Sequence, residues 1–149
     1  MRFLNMLKKP NIINMDYVEL RKDRILDLCR QSNLELFFVH GSLAKNQMKP
    51  LSDVDIAVLK KNGELSLDEH LRLIGRLQEI FGREDIDLVD LAAAPAPLKM
   101  RVIKAGKLFF SENISALISF KYNTFRQFLD TVYLRKSFSA YLRSAVGVK

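Results

Sequence analysis

Asp53 and Asp55 stand two residues apart, ten residues after a Gly41-Ser42 pair. Side chains alternate between faces in an extended chain, so both carboxylates point the same way. Two like charges that close are unfavourable unless a cation lies between them. Hard oxygen donors of this kind suit Mg2+, which takes one or two carboxylates and completes its shell with water and phosphate oxygens. Gly41 can adopt backbone angles that other residues avoid, and it lets a ligand approach the chain closely. Ser42 adds a hydroxyl and a free N–H at the start of a short helix expected over residues 43–47, a natural seat for phosphate. A phosphate turn beside a two-carboxylate metal site is the minimum equipment for nucleotidyl transfer.

These groups need rigid elements to hold them. Residues 34–40 are apolar, aromatic and bounded by glycine, the pattern of a buried strand. Residues 53–59 read as a second strand and residues 85–91 as a third. In the third, Asp85, Asp87 and Val89 share one face, and Ile86, Leu88 and Asp90 share the other. Asp85 and Asp90 read as solvated edge charges, whereas Asp87 sits among apolar neighbours and reads as part of the site. His40 reads as a packed histidine at a strand end in preference to a phosphate ligand or proton donor, and His70 is given no role.

Helices fill the gaps. Asp16 with Glu19 predicts a capped helix over 17–31, with Val18, Ile25, Leu28 and Cys29 on its inner stripe. Cys29 reads as a small core residue. Ser66 with Glu69 is a capping box that opens a helix to residue 81, its stripe comprising Leu67, Leu71, Ile74, Leu77, Gln78 and Phe81, with Gly82 as its stop. A proline-broken connection over 92–97 leads to a helix over 97–105, Gly106, and a short strand over 107–110. Beyond Ser111 apolar and aromatic residues recur at helical spacing, capped by Ser111 or Asn113. That helix either packs on its own domain or presents a partner surface. The first 14 residues read as a loose arm whose Phe3, Leu4 and Leu7 pack on another part of the protein, and residues 135–149 as a basic tail, poorly patterned after Tyr141, that frays.

Gly-Ser, ten residues, then Asp-x-Asp resembles the signature of the polymerase-β-like nucleotidyltransferase superfamily. The short chain and the run Asp85-Ile86-Asp87-Leu88-Val89-Asp90-Leu91 resemble, more narrowly, the minimal nucleotidyltransferases: MntA-type antitoxins paired with HEPN-domain toxins. The resemblance covers residues 34–110. It implies an α/β (α+β) nucleotidyltransferase fold, a small mixed β-sheet flanked by helices, here with an additional C-terminal helix. It implies Asp53, Asp55 and Asp87 as catalytic, metal-binding carboxylates, with Asp87 as the family's third acid, and Gly41, Ser42 and Lys45 as the ATP phosphate contacts. Where the family carries Arg-Gly this chain has Lys45-Asn46, which keeps a charge but loses arginine's fork. Asn tolerates left-handed angles better than most residues. The implied activity is Mg2+-dependent transfer of AMP from ATP to a hydroxyl, a tyrosine on a partner HEPN toxin in a hetero-oligomer. Two alternatives stay open: an adenylyltransferase for a small compound such as an aminoglycoside, and a non-catalytic module that neutralises its partner by covering it.

At 149 residues the chain fits one domain, 1–149, with an arm (1–15), a core (34–110) and a C-terminal helix and tail (111–149). Apolar runs are too short to span a bilayer, and the N-terminus does not read as a signal peptide. A lone cysteine supports no internal disulfide and points to the cytoplasm. The net charge of +7 favours an anionic partner. It is spread along the chain without a long basic run, so nucleotide binding is preferred to direct nucleic-acid binding.

Overall fold

The computed structural model describes residues 12–147, so the expected packing of Phe3, Leu4 and Leu7 lies outside the described residues. Ten elements follow in order: α1 (Met15–Glu19), α2 (Lys22–Gln31), β1 (Leu34–His40), α3 (Gly41–Ala44), β2 (Val54–Lys60), α4 (Leu67–Phe81), β3 (Ile86–Asp90), α5 (Ala96–Ala105), β4 (Lys107–Ser111) and α6 (Ile114–Ala145). The strands form one mixed sheet in the order β3-β2-β1-β4. β1 runs antiparallel to both β2 and β4, and β2 runs parallel to β3. The parallel pair needs a crossover, which α4 supplies.

Each sheet face has its own core. Phe37, Val39, Val54, Ile56, Val58 and Leu88 pack with Ile25, Leu28 and Cys29 of α2 and Leu73, Leu77, Ile80 and Phe81 of α4. Leu36, Phe38 and Ala57 pack on the opposite side with Leu91, Val102 of α5 and Phe120 of α6. Burial raises the Cys29 thiol to about 12, so the residue is an inert core group.

The first helical stretch departs from expectation. It is two helices, with Asn14 rather than Asp16 as the cap: the Asn14 side chain accepts from the Tyr17 N–H at 3.1 Å. The break at Leu20-Arg21 turns Arg21 inward. Its Nε donates to the Ile80 carbonyl at 2.9 Å, its guanidinium lies 3.4 Å from the Tyr17 ring centroid, and the Tyr17 hydroxyl donates to the Phe81 carbonyl at 2.6 Å. These donors satisfy the orphan carbonyls at the end of α4 and place a cation at its negative pole. Continuity of one helix is exchanged for termination of another.

α4 starts with the expected capping box, both bonds formed between Ser66 and Glu69, and stops at Gly82 in a left-handed turn, φ 63°. Its buried side is offset from the predicted stripe: Leu67 and Leu71 are exposed, while Leu73, Leu77, Ile80 and Phe81 are buried. Ser66→Ala removes one cap bond and should cost about 1 kcal/mol. Thermal unfolding should show a Tm lower by about 2–4 °C; an unchanged Tm would mean the cap contributes nothing here.

Candidate active site

β1 ends at His40, and the chain turns at once into α3. Gly41 has φ +64°, the left-handed region, and an ideal Cβ on it would run into the Asp55 Oδ2 atom. Glycine is therefore required twice over, by its backbone angle and by the carboxylate packed against it. α3 is a single turn, shorter at its far end than the predicted 43–47, and it closes with Gln47 N–H donating to the Ser42 carbonyl at 2.9 Å. Lys45 is exposed at its end. Asn46 has φ +52°, so asparagine makes the left-handed turn without glycine. Its Oδ1 accepts from the Met15 N–H at 3.0 Å, which ties the turn to α1.

Pairing brings the acids together. His40 lies opposite Asp55 across the β1–β2 ladder, and Asp55 lies opposite Asp87 across β2–β3. Paired residues share a face, and Asp53, one residue ahead of β2 rather than inside the predicted strand, adds its charge beside Asp55. That is the face carrying Phe38 and Ala57, so the acids continue a core surface beyond its apolar part. Asp53 and Asp87 are exposed and Asp55 is half-buried.

The electrostatics record this crowding. Burial first, then the charge of Asp87, a hydrogen bond to Asp87 and the charge of Asp53, push the Asp55 carboxyl up to about 6. Below that pH Asp55 is protonated and donates to Asp87. His40 is held below its ordinary value by burial, against the pull of Asp87, so its imidazole is neutral near pH 7. His40 Nε2 is buried and has no hydrogen-bond partner among the described residues.

A further apparatus holds Asp53. Buried Arg83 donates from Nε to Asp85 Oδ1 at 2.8 Å and from a terminal nitrogen to Asp85 Oδ2 at 2.5 Å. It also donates to the Ser52 carbonyl at 3.2 Å, immediately before Asp53, and Val54 N–H donates to the Asp85 carbonyl at 2.9 Å. Asp85 is therefore half of a bidentate clamp, where the sequence suggested a solvated charge. The signal was Arg83, two residues away and on the same side. Asp90 is a connector too: Oδ2 accepts from Leu65 N–H and Oδ1 from Ala92 N–H, at 2.9 and 3.0 Å.

Among the described residues, no three His, Cys, Asp or Glu side chains form a cage that could hold a metal ion by themselves. The donor chemistry fits a cation that needs only one or two carboxylates and finds its other oxygens on a phosphate. Burial raises the Asp55 carboxyl most, and the charges of Asp87 and Asp53 add a repulsion that such a cation would relieve.

A pH dependence follows. The folded-state pKa of Asp55 lies above its ordinary value of 3.8, so its contribution to stability is full at low pH and is lost as pH rises through about 6. The Tm of metal-free wild type should fall, relative to Asp55→Asn, between about pH 4 and pH 7. A constant difference across that range would show that Asp55 is not perturbed.

A mixed sheet that carries a glycine-serine turn and strand-paired aspartates at one end defines a nucleotidyltransferase. The polymerase beta nucleotidyltransferase family model matches residues 23–115, and the chain belongs to that family. The protein adenylyltransferase MntA of Shewanella oneidensis is 33% identical over 93 residues, which cover 60% of this chain and 64% of MntA. The chain thus spans just under two thirds of that curated relative. A toxin–antitoxin crystal structure with AMP-PNP superposes with a TM-score of 0.68 at 25% identity, over 81% of this chain and 97% of that one. A structure of the tri-AMPylated Shewanella oneidensis HEPN toxin in complex with MNT antitoxin gives 0.65 at 25% identity, over 83% and 97%. Among the described residues no helix is long and apolar enough to cross a membrane.

Proposed function

We propose that this protein transfers AMP from ATP to a tyrosine hydroxyl of a partner HEPN-domain toxin and thereby silences it as its antitoxin in the cytoplasm. The observation that carries the reading is the ladder His40–Asp55–Asp87 packed against Gly41. It brings Gly41, Asp55 and Asp87 within one short stretch of sheet. The likeness to MntA, to a toxin–antitoxin complex with AMP-PNP and to a complex holding a tri-AMPylated HEPN toxin supports the choice of donor and acceptor.

In this reading the triphosphate lies against the Gly41-Ser42 turn, with Lys45 as a point charge at its edge. Asp53 and Asp55 would hold Mg2+, which when bound would supply positive charge to the reacting phosphates. The acceptor oxygen bonds to the α-phosphorus, the bond from that phosphorus to the bridging oxygen breaks, and pyrophosphate leaves. Asp87 accepts the hydroxyl proton. Gly41 keeps the turn close to Asp55, and Arg83 with Asp85 keeps Asp53 in register. The residues supply position and charge and form no covalent intermediate.

Labelled ATP tests the chemistry. With a HEPN-domain toxin as acceptor, label on the α-phosphate should pass to the toxin and label on the γ-phosphate should leave with pyrophosphate. Retention of γ-label on the acceptor would replace nucleotidyl transfer by phosphoryl transfer.

A further inference from the structure

α6 is longer than its domain can use. It runs from Ile114 to Ala145, and among its side chains only Phe120 and Thr124 are buried. Its inner side meets α5, where Lys99 Nζ donates to Gln127 Oε1 at 3.1 Å. A different side carries Ile114, Ile118, Tyr122, Phe125, Leu129 and Tyr133, each between 45 and 73% exposed. At 100° per residue these six form one stripe, roughly 28 Å long at 1.5 Å per residue. From Ile118 the spacing of four, three, four and three to Tyr122, Phe125, Leu129 and Val132 is that of a coiled-coil seam.

Two properties select the occupant. The first is charge: α6 carries Lys121, Arg126, Arg135, Lys136 and Arg143 against one carboxylate, Asp130. Lys121 and Arg126 border the stripe and Lys136 continues its line beyond Tyr133, so a second copy laid along it would set cations against cations. The second is that the apolar side changes. Beyond Tyr133 the exposed Leu134, Phe138 and Tyr141 lie almost opposite the first stripe. A flat membrane surface could take only one of the two, whereas a protein can wrap both.

We propose that the outer face of α6 docks the acceptor protein through an amphipathic helix of that partner, whose apolar seam is bordered by carboxylates. The proposal rests on the reading that the acceptor is a protein, and it adds where that protein is held. α6 packs on the sheet face that also bears the acids, so docking and chemistry share one side of the sheet.

The test uses the full chain and the HEPN-domain protein proposed as its acceptor, with affinity measured by titration calorimetry. Tyr122→Glu with Leu129→Glu should weaken the complex about thirtyfold or more, the scale of losing central interface anchors. Both side chains are exposed, so Tm and AMP-PNP binding should stay at wild-type values. Lys121→Glu with Arg126→Glu should weaken binding less and flatten its salt dependence. A complex as tight with Tyr122→Glu/Leu129→Glu as with wild type would overturn the docking face and leave the proposed activity standing. A wild-type dimer that this variant splits would give the face to a second copy. Loss of binding to phosphatidylserine vesicles with an undiminished complex would give it to a membrane. If wild type neither binds nor modifies the HEPN-domain protein, the acceptor reading fails and the docking face with it.

Discussion

Asp53→Asn should abolish AMP transfer, by about 10²–10³-fold or more, the scale of removing one preorganised charge-stabilising group, and leave the fold intact. Asp53 is exposed and no core side chain rests on it, so the Tm should match wild type. Asp55→Asn should lose activity to the same degree with the opposite signature in stability. Asp55 is half-buried against Asp87, and its carboxyl stands near 6, so a neutral amide relieves repulsion that wild type carries at pH 7. The metal-free Asp55→Asn protein should therefore melt higher than wild type while transferring nothing. Activity is measured by AMP incorporation and stability by thermal unfolding. Transfer by either variant at the wild-type rate would remove these carboxylates from the mechanism.

Gly41→Ala should be nearly as damaging, for a different reason. At φ +64° a left-handed backbone costs a residue with a side chain about 1–2 kcal/mol. The new methyl would also occupy the space of the Asp55 carboxylate, with Cγ at 3.0 Å. Either the turn or Asp55 has to move, and a displacement of about 1 Å at a reacting centre can cost about 10²-fold. The expected result is a fall in Tm together with a loss of both AMP-PNP affinity and transfer. Wild-type affinity in Gly41→Ala would show that the turn does not cradle the nucleotide. Gly75→Ala is the matched control, because a Cβ there meets nothing within 4 Å.

The elements that position the site were legible because they are local. An apolar run ended by Gly41, and Asp53 and Asp55 in alternation, announce strand, turn and strand without any long-range contact. The Ser66–Glu69 box and Gly82 mark both ends of α4 for the same reason. What stayed hidden depends on residues far apart in the chain. The break at Leu20-Arg21 exists because Arg21 reaches Ile80 and Tyr17 reaches Phe81. The inner stripe of α4 shifted because tertiary packing, not periodicity alone, selected Leu73 and Ile80. Asp85 and Asp90 look like surface charges in sequence, yet one is clamped by Arg83 and the other accepts two backbone N–H groups. α6 continues in helix to Ala145, where a basic tail poorly patterned after Tyr141 suggested fraying.

The most direct measurement is an intact-mass spectrum of the HEPN-domain protein proposed as acceptor, after incubation with this protein, ATP and Mg2+. The expected result is an increase of one or more AMP units, absent with Asp53→Asn. A stable complex with no mass increase would contradict it and leave a module that neutralises its partner by covering it. Neither complex nor increase, with AMP found on a small hydroxylated compound, would move the acceptor away from proteins.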